Sequence, residues 1–294
     1  VLPFRVDYLN SFRVRDGIDN HDVEGIDTDS AYMNPQRISA VVSYILEHFD
    51  QKTKRHASFQ YKERRVNGFN SLFATSSIKA ARAYYQEFKR QQADLPEARR
   101  LSVGIIYSYA PNAEAPGTGL LSEESMDPSA LSQDDRAFLD EAIADYNKQF
   151  GASFGTDASG FEGYYTSLST ALAERRIDLV IVVDMFLTGF DSKSLNTLWV
   201  DKNLRAHGLI QAFSRTNRIL NSVKTFGNIV CFRNLEEATN DAIALFGNKE
   251  ARGQVLLRPY GEYLSTYLET IEQLRIGFPL PIGSIASEKE QKRF

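Results

Sequence analysis

The sequence predicts an α/β protein built on a parallel sheet with helices on both faces. Two observations carry that expectation. Apolar runs of strand length, such as Leu179 to Val183 and Leu195 to Val200, read as strands buried on both sides. Segments of helical period separate these runs at intervals that suit βα units rather than hairpins. Sheets of this kind hold their ligands beyond the carboxyl ends of the strands. The residues that follow each run are therefore the first candidates for function.

Residues 1 to 33 read as an irregular linker. Asp19, Asp22, Glu24, Asp27 and Asp29 crowd its second half, but their spacing does not fit a helix-loop-helix calcium loop. Residues 35 to 50 follow a helical period, with Pro35 in the first turn and Ile38, Val41, Val42, Ile45 and Leu46 toward the core. A basic stretch follows, with Lys52, Lys54, Arg55, His56, Lys62, Arg64 and Arg65 interleaved with Phe59 and Tyr61. It suits either a phosphate backbone or a solvated loop leading into a strand, and the loop is the simpler reading. Phe69 to Thr75 is that strand. Ser76 and Ser77 come next, where a serine caps the helix Ile78 to Arg90 or meets a phosphate at its N-terminus.

Leu101 to Ser108 reads as a further strand. Residues 110 to 135 are rich in Pro, Gly, Ser, Asp and Glu and open a surface insertion spanning 110 to 160. Residues 135 to 149 and 162 to 175 look helical. Past the two apolar runs come a strand, Phe226 to Phe232, and a helix, Leu235 to Phe246. An amphipathic helix is expected over 254 to 275, interrupted near Pro259 and Gly261. The main domain is thus placed at 34 to 250, with 251 to 294 a helical extension toward a C-terminal domain.

Composition narrows the function. Hydrophobic residues make up 43% and charged residues 24%, which is ordinary for a globular chain. The net charge of −4 is not that of a free-standing nucleic-acid module, though local basic groups still bind a backbone within an acidic whole. The single cysteine, Cys231, lies in the apolar run GNIVCF and reads as a small core residue. It excludes an internal disulfide and a cysteine-based metal site, and it fits a reducing, cytoplasmic setting. The four histidines show no metal spacing. No apolar run is long enough to span a bilayer. The chain opens VLPFRVDYLN without Met, as a piece of a larger polypeptide would.

The chemistry concentrates between residues 180 and 219. The first run ends on Asp184, Thr188 and Gly189 follow, and Asp191 closes the loop. After the second run, a helix-like segment carries Gln211, Arg215 and Arg218 in the pattern Q-x-x-S-R-x-x-R. Arginines three apart on a helix project to nearly the same side. Phosphoryl transfer spreads negative charge over the γ-phosphate, and a permanently charged planar guanidinium suits it. LVIVVD has the look of a Mg²⁺-binding strand end, but no Asp-Glu follows. No G-x-x-x-x-G-K-[ST] loop exists in the chain either. Without that loop and its lysine the chain cannot bind a triphosphate in the usual way.

These residues resemble motifs V and VI of superfamily 2 helicases and translocases. The resemblance is to the motor (R) subunit of type I restriction enzymes, in D-M-x-L-T-G-F-D (Asp184 to Asp191), T-L-x-x-D-K (Thr197 to Lys202) and L-I-Q-A-x-S-R-x-N-R (Leu209 to Arg218). Ser214 and Asn217 stand where the superfamily usually has glycines, as is typical of the restriction-motor branch. A weaker resemblance to motif IV covers 69 to 90. It implies a second RecA-like motor domain with flanking helical elements. It also implies that Arg218 and Arg215 act as arginine fingers, worth about three to five orders of magnitude in turnover where such fingers are known. Gln211 would orient the attacking water or the γ-phosphate. Gly189, Asp191 and Asp184 would meet nucleotide, with Asp191 accepting from the ribose or from a motif VI arginine. Thr188, Ser76 and Ser77 would touch DNA.

The resemblance further implies ATP and Mg²⁺ held mainly by an upstream motor domain, and a nuclease domain of the same parent chain. Its partners would be double-stranded DNA and the methyltransferase and specificity subunits, in a bacterial or archaeal cytoplasm. The fragment alone would be inactive. The rival readings are another superfamily 2 ATPase, such as a remodeller or repair helicase, and a non-catalytic α/β interaction domain.

Overall fold

The computed structural model describes residues 3–9, 28–107, 131–220, 222–246 and 260–278. Six strands form one wholly parallel sheet: β1 (Phe4–Tyr8), β4 (Asn70–Thr75), β5 (Val103–Ile106), β6 (Leu179–Val182), β7 (Leu195–Asp201) and β8 (Gly227–Cys231). Their order across the sheet is β1-β8-β7-β4-β6-β5, and every pairing is parallel. All residues of β4, β6, β7 and β8 are buried, which is why these strands read as runs without polar alternation.

Helices cover both faces. Phe73 of β4 packs its ring against Tyr84 and Phe88 of α3 (Ile78–Gln92), at centroid distances of 4.7 and 6.5 Å. α2 (Pro35–Lys52) lies beside α3. The alternate register row, Leu72, Val180 and Gly104, points the other way. There α5 (Ala158–Ala173) comes so close that a Cβ on Gly104 would sit 2.9 Å from both Leu168 and Ile177. Both helix starts are capped, the second by one of the two serines that the sequence offered. Asn34 accepts from Gln36 N at 2.9 Å ahead of Pro35, and Ser77 accepts from Ala80 N at 3.1 Å.

Several expectations are corrected. Residues 4–8, read above as linker, form the edge strand β1 beside β8. The signal was present as the alternation Phe4, Val6, Tyr8, but intervening charges disguised it. Asp7 there takes an ion pair from the buried Lys52. A short helix, α1 (Thr28–Tyr32), follows, whereas the acidic cluster at 19 to 27 lies outside the described residues. The basic stretch is a loop only in part. Lys52 ends α2, and Lys54, Arg55 and His56 lie in the turn after it, but the rest forms an antiparallel hairpin, β2 (Ser58–Tyr61) and β3 (Arg64–Asn67), whose Lys62 and Arg64 are drawn to Glu174 at the end of α5.

The described part of the expected insertion, from residue 131, contributes to the core. α4 (Gln133–Phe150) buries Phe138, Leu139, Ala142, Ile143 and Tyr146, and Arg82 of α3 pairs with Asp135 at 2.9 Å. Residues 108 to 130 lie outside the described residues. Two further helices, α6 (Ala206–Phe213) and α7 (Glu236–Phe246), pack on each other, and α8 (Tyr260–Gly277) is largely exposed. Among the described residues no helix is long and apolar enough to cross a membrane.

Candidate functional site

The loop between β6 and β7 runs from the carboxyl edge of the sheet to its amino edge. It leaves β6 at Val183 and Asp184 and re-enters at Leu195, the first residue of β7, beside Asn70, the first of β4. Apolar side chains nail it down. Met185, Phe186, Leu187 and Phe190 are buried, and Phe186 stacks between Tyr165 and Phe190 at 5.1 and 4.9 Å. Phe186 holds a left-handed φ of 65°, a strain that such packing sustains. Between these anchors Thr188 is half-buried, while Gly189 and Asp191 are exposed. Gly189 has φ 70° and open space where a Cβ would be, so a ligand can approach its backbone.

The arginine segment differs from the expectation. α6 ends at Phe213, so Arg215 stands in a turn and Arg218 in irregular chain, and the two are not neighbours on a helical face. They do different things. Arg215 Nε donates to the carbonyls of Leu187 (3.1 Å) and Gln211 (3.2 Å), and its Nη1 donates to Phe190 O (2.6 Å). It therefore ties the end of α6 to the loop. Arg218 Nε donates to Asp191 Oδ1 at 2.9 Å, with the side chains 40% and 63% exposed. That pairing is one of the two expected for Asp191. Thr216 lies between them, against the first residue of β8, where a Cβ on Gly227 would come within 2.3 Å of its Oγ1. Gln211 is half-buried in the last turns of α6 and lends its carbonyl to Arg215 and to Ser214 Oγ (2.7 Å).

The candidates thus divide between the two edges of the sheet. Asp191 and Arg218 lie toward the amino edge, not at the carboxyl ends where the general rule for such sheets placed the loop. Asp184, Ser76 and Ser77 occupy the carboxyl edge. Asp184 is bound by Lys202 Nζ at 2.6 Å, and that ammonium also donates to Val183 O (3.3 Å). Ser77 is the cap of α3.

Three groups carry much of the electrostatics and were given no role in the sequence. At the carboxyl edge, the buried Asp201 accepts from Arg37 (2.7 Å), Arg233 (3.1 Å) and Tyr84 (2.6 Å). Burial pushes its carboxyl up, but the Arg37 hydrogen bond and the Arg233 charge outweigh that and hold it below the usual range. Lys202 is the second. The third is Lys224, 1% exposed near the amino edge, whose Nζ donates to the carbonyls of Lys193 (3.0 Å) and Leu195 (2.6 Å). Burial lowers its ammonium to about 7, opposed by Asp191 and assisted by Arg218. Asp201 and Lys202 stood inside the T-L-x-x-D-K pattern, whereas nothing around Lys224 distinguished it. Among the described residues no group of three or more His, Cys, Asp or Glu side chains is assembled that could hold a metal ion.

Residues 67–234, more than half of the chain, match the family described as Type I restriction enzyme subunit R domain 3. The chain belongs to that family. The matched span of this R-subunit domain runs from β3 to Asn234, and so contains both edges of the candidate site. The Type I restriction enzyme SauCOLORF180P endonuclease subunit of Staphylococcus aureus (strain COL) is 36% identical over 300 residues, covering 100% of this chain and 30% of that protein. The SsaAORF53P endonuclease subunit of Staphylococcus saprophyticus is likewise 36% identical over 300 residues, with coverage of 100% and 30%. The R-subunit domain therefore spans about 30% of the length of these curated relatives. A solved structure, Mss116p DEAD-box helicase domain 2 bound to an RNA duplex, aligns at 10% identity and a TM-score of 0.38, over 94% of this chain and 77% of that one. That likeness is too low to bear on fold or function.

Proposed function

We propose that this domain is the second motor domain of the DNA-translocating endonuclease subunit of a type I restriction enzyme. It supplies half of an ATP site. ATP and Mg²⁺ are held mainly by a first motor domain elsewhere in the parent chain, which also carries the nuclease domain. Arg218 is the arginine finger, reaching the γ-phosphate as charge develops in transfer. The observation that carries this reading is the difference between the two arginines. Arg215 spends its donors on the Leu187, Phe190 and Gln211 carbonyls, while Arg218 is held, among the described residues, by the largely exposed Asp191 carboxylate.

Arg215 and Gln211 then act by keeping the loop and the end of α6 in register with Arg218. Gly189 and Asp191 form the part of the loop nearest the nucleotide. Double-stranded DNA tracks the carboxyl edge, where Ser76 and Ser77 offer hydroxyls to phosphate oxygens, and Thr188 on the crossing loop offers a third. The Ser77 oxygen accepts from Ala80 N and still has its own proton to donate. Asp184, paired with Lys202, fixes the start of the loop between these two surfaces. Closure on ATP and opening after hydrolysis would move the duplex, in a cytoplasmic complex with the methyltransferase and specificity subunits.

The test is DNA-stimulated ATP turnover by the parent subunit in its assembled complex, wild type against Arg218→Ala, with ATP and DNA binding measured alongside. Turnover falling about 10³-fold or more with binding retained supports the finger. Unchanged turnover makes the domain an interaction module that kept the fold without the chemistry.

A further inference from the structure

Two cations of different character bear on the end of the loop that carries Asp191. Arg218 meets it from the solvent side, in a pair whose members are 40% and 63% exposed. Lys224 approaches from inside the fold, 1% exposed, and its charge interacts with both Asp191 and Arg218. Its ammonium is anchored to the carbonyls of Lys193 and Leu195, two and four residues beyond Asp191 on the same stretch of backbone. A buried ammonium is costly to maintain. An apolar residue of the same length would fill this volume without that cost, so a cation here calls for a partner charge.

We propose that Lys224 is a positioning residue for the arginine finger: it holds the backbone just beyond Asp191 and so fixes the carboxylate on which Arg218 rests between visits to the nucleotide. The proposal rests on the reading of Arg218 given above. The Lys224 ammonium ties the carbonyls of Lys193 and Leu195 together, so the end of the loop keeps one position when Arg218 swings to the γ-phosphate and when it returns. Near-neutral titration of Lys224 follows from its burial, with Asp191 from the loop before β7 and Arg218 from the segment after α6 as the charged groups acting on it. Loss of its proton above pH 7 weakens its hold on the two carbonyls.

The experiment is DNA-stimulated ATP turnover by the parent subunit in its assembled complex. The variants are Lys224→Met, Lys224→Arg, Asp191→Asn, the Asp191→Asn/Lys224→Met double variant, and Arg218→Ala. Lys224→Met is expected to lower kcat by about 10- to 100-fold, the scale of a misplaced catalytic group, while KM for ATP moves by less than about twofold. The double variant is expected to be no slower than Asp191→Asn alone, because the two residues act as a unit. Wild-type kcat should decline above pH 7, and Lys224→Arg, which keeps its proton, should abolish that decline.

Fully additive losses in the double variant, or a kcat for Lys224→Met within about twofold of wild type, overturn the proposal. If Lys224→Met does not fold, the pH profile of Lys224→Arg decides, and an alkaline decline identical to wild type overturns it. Arg218→Ala separates the two failures. Full turnover in that variant sinks the finger itself, whereas its collapse beside an active Lys224→Met sinks only the role of Lys224.

Discussion

Arg218 Nε lies 2.9 Å from Asp191 Oδ1, and this exposed ion pair joins the loop after β6 to the segment after α6. Three residues earlier, Arg215 joins the same two segments through backbone carbonyls. The connection is thus made twice, once by a contact that is easily exchanged with solvent or ligand and once by contacts internal to the fold. The proposed half-site needs both, a group that can leave and a group that holds its surroundings still.

The two arginines should therefore separate in stability measurements. Arg215→Ala leaves the Leu187 and Phe190 carbonyls without this donor and is expected to cost about 2–4 kcal/mol, as lost hydrogen bonds to a charged group do. Arg218→Ala removes a half-exposed pair and is expected to cost less than about 1 kcal/mol. Urea unfolding of the 294-residue chain measures both. Equal costs would mean that the two side chains are equally structural.

Asp201 is expected to be the most destabilising carboxylate to neutralise. Its partners Arg37 and Arg233 are 8% and 5% exposed, so Asp201→Asn leaves two buried guanidiniums short of their anion, at about 3–5 kcal/mol. The folded carboxyl is held below its ordinary value, so its stabilisation is present above the unfolded value of about 3.9 and is lost as the pH falls through the lowered one. Thermal unfolding from pH 5 downward should show a shallower acid loss in Asp201→Asn than in wild type. Parallel acid limbs would show that the network does not hold this carboxylate ionised.

Lys224 gives the opposite pH sign. Its folded value is lowered to about 7 from an ordinary value of about 10.4. The cost of burying its charge is therefore full below pH 7 and vanishes as the pH rises toward the unfolded value. The Tm of Lys224→Met minus that of wild type should be most positive near pH 6 and should decline toward pH 10. The decline is expected to be about 5 °C or more, given ~2–4 °C per kcal/mol for a domain of this size. A difference independent of pH would mean that Lys224 is charged over the whole range.

The strands β4, β6, β7 and β8 were legible because burial on both faces leaves an uninterrupted local signature. The cap Ser77 was legible because capping acts over three residues. The edge strand β1 was not: pairing on one side only lets charges such as Arg5 and Asp7 interrupt the apolar pattern. α4 was legible as a helix, but the polar stretch before it drew residues up to 160 into a presumed surface insertion although Phe138, Leu139 and Ile143 are buried core.

The chain's own order of residues determined the parallel α/β class, the loop from Asp184 to Asp191 and the presence of two arginines beside it, all properties of near neighbours. Tertiary structure alone decided that α6 stops at Phe213. It set Arg215 inward on loop carbonyls and Arg218 outward on Asp191, and it placed that pair toward the amino edge, away from Ser76, Ser77 and Asp184. It also brought Lys224 onto the carbonyls of Lys193 and Leu195, two and four residues beyond Asp191, and gathered Arg37, Arg233 and Tyr84 on the Asp201 carboxylate. Local periodicity encodes which face of an element is buried. Which charges meet across elements depends on strand order and on a loop that crosses the sheet, and no spacing along the chain records either.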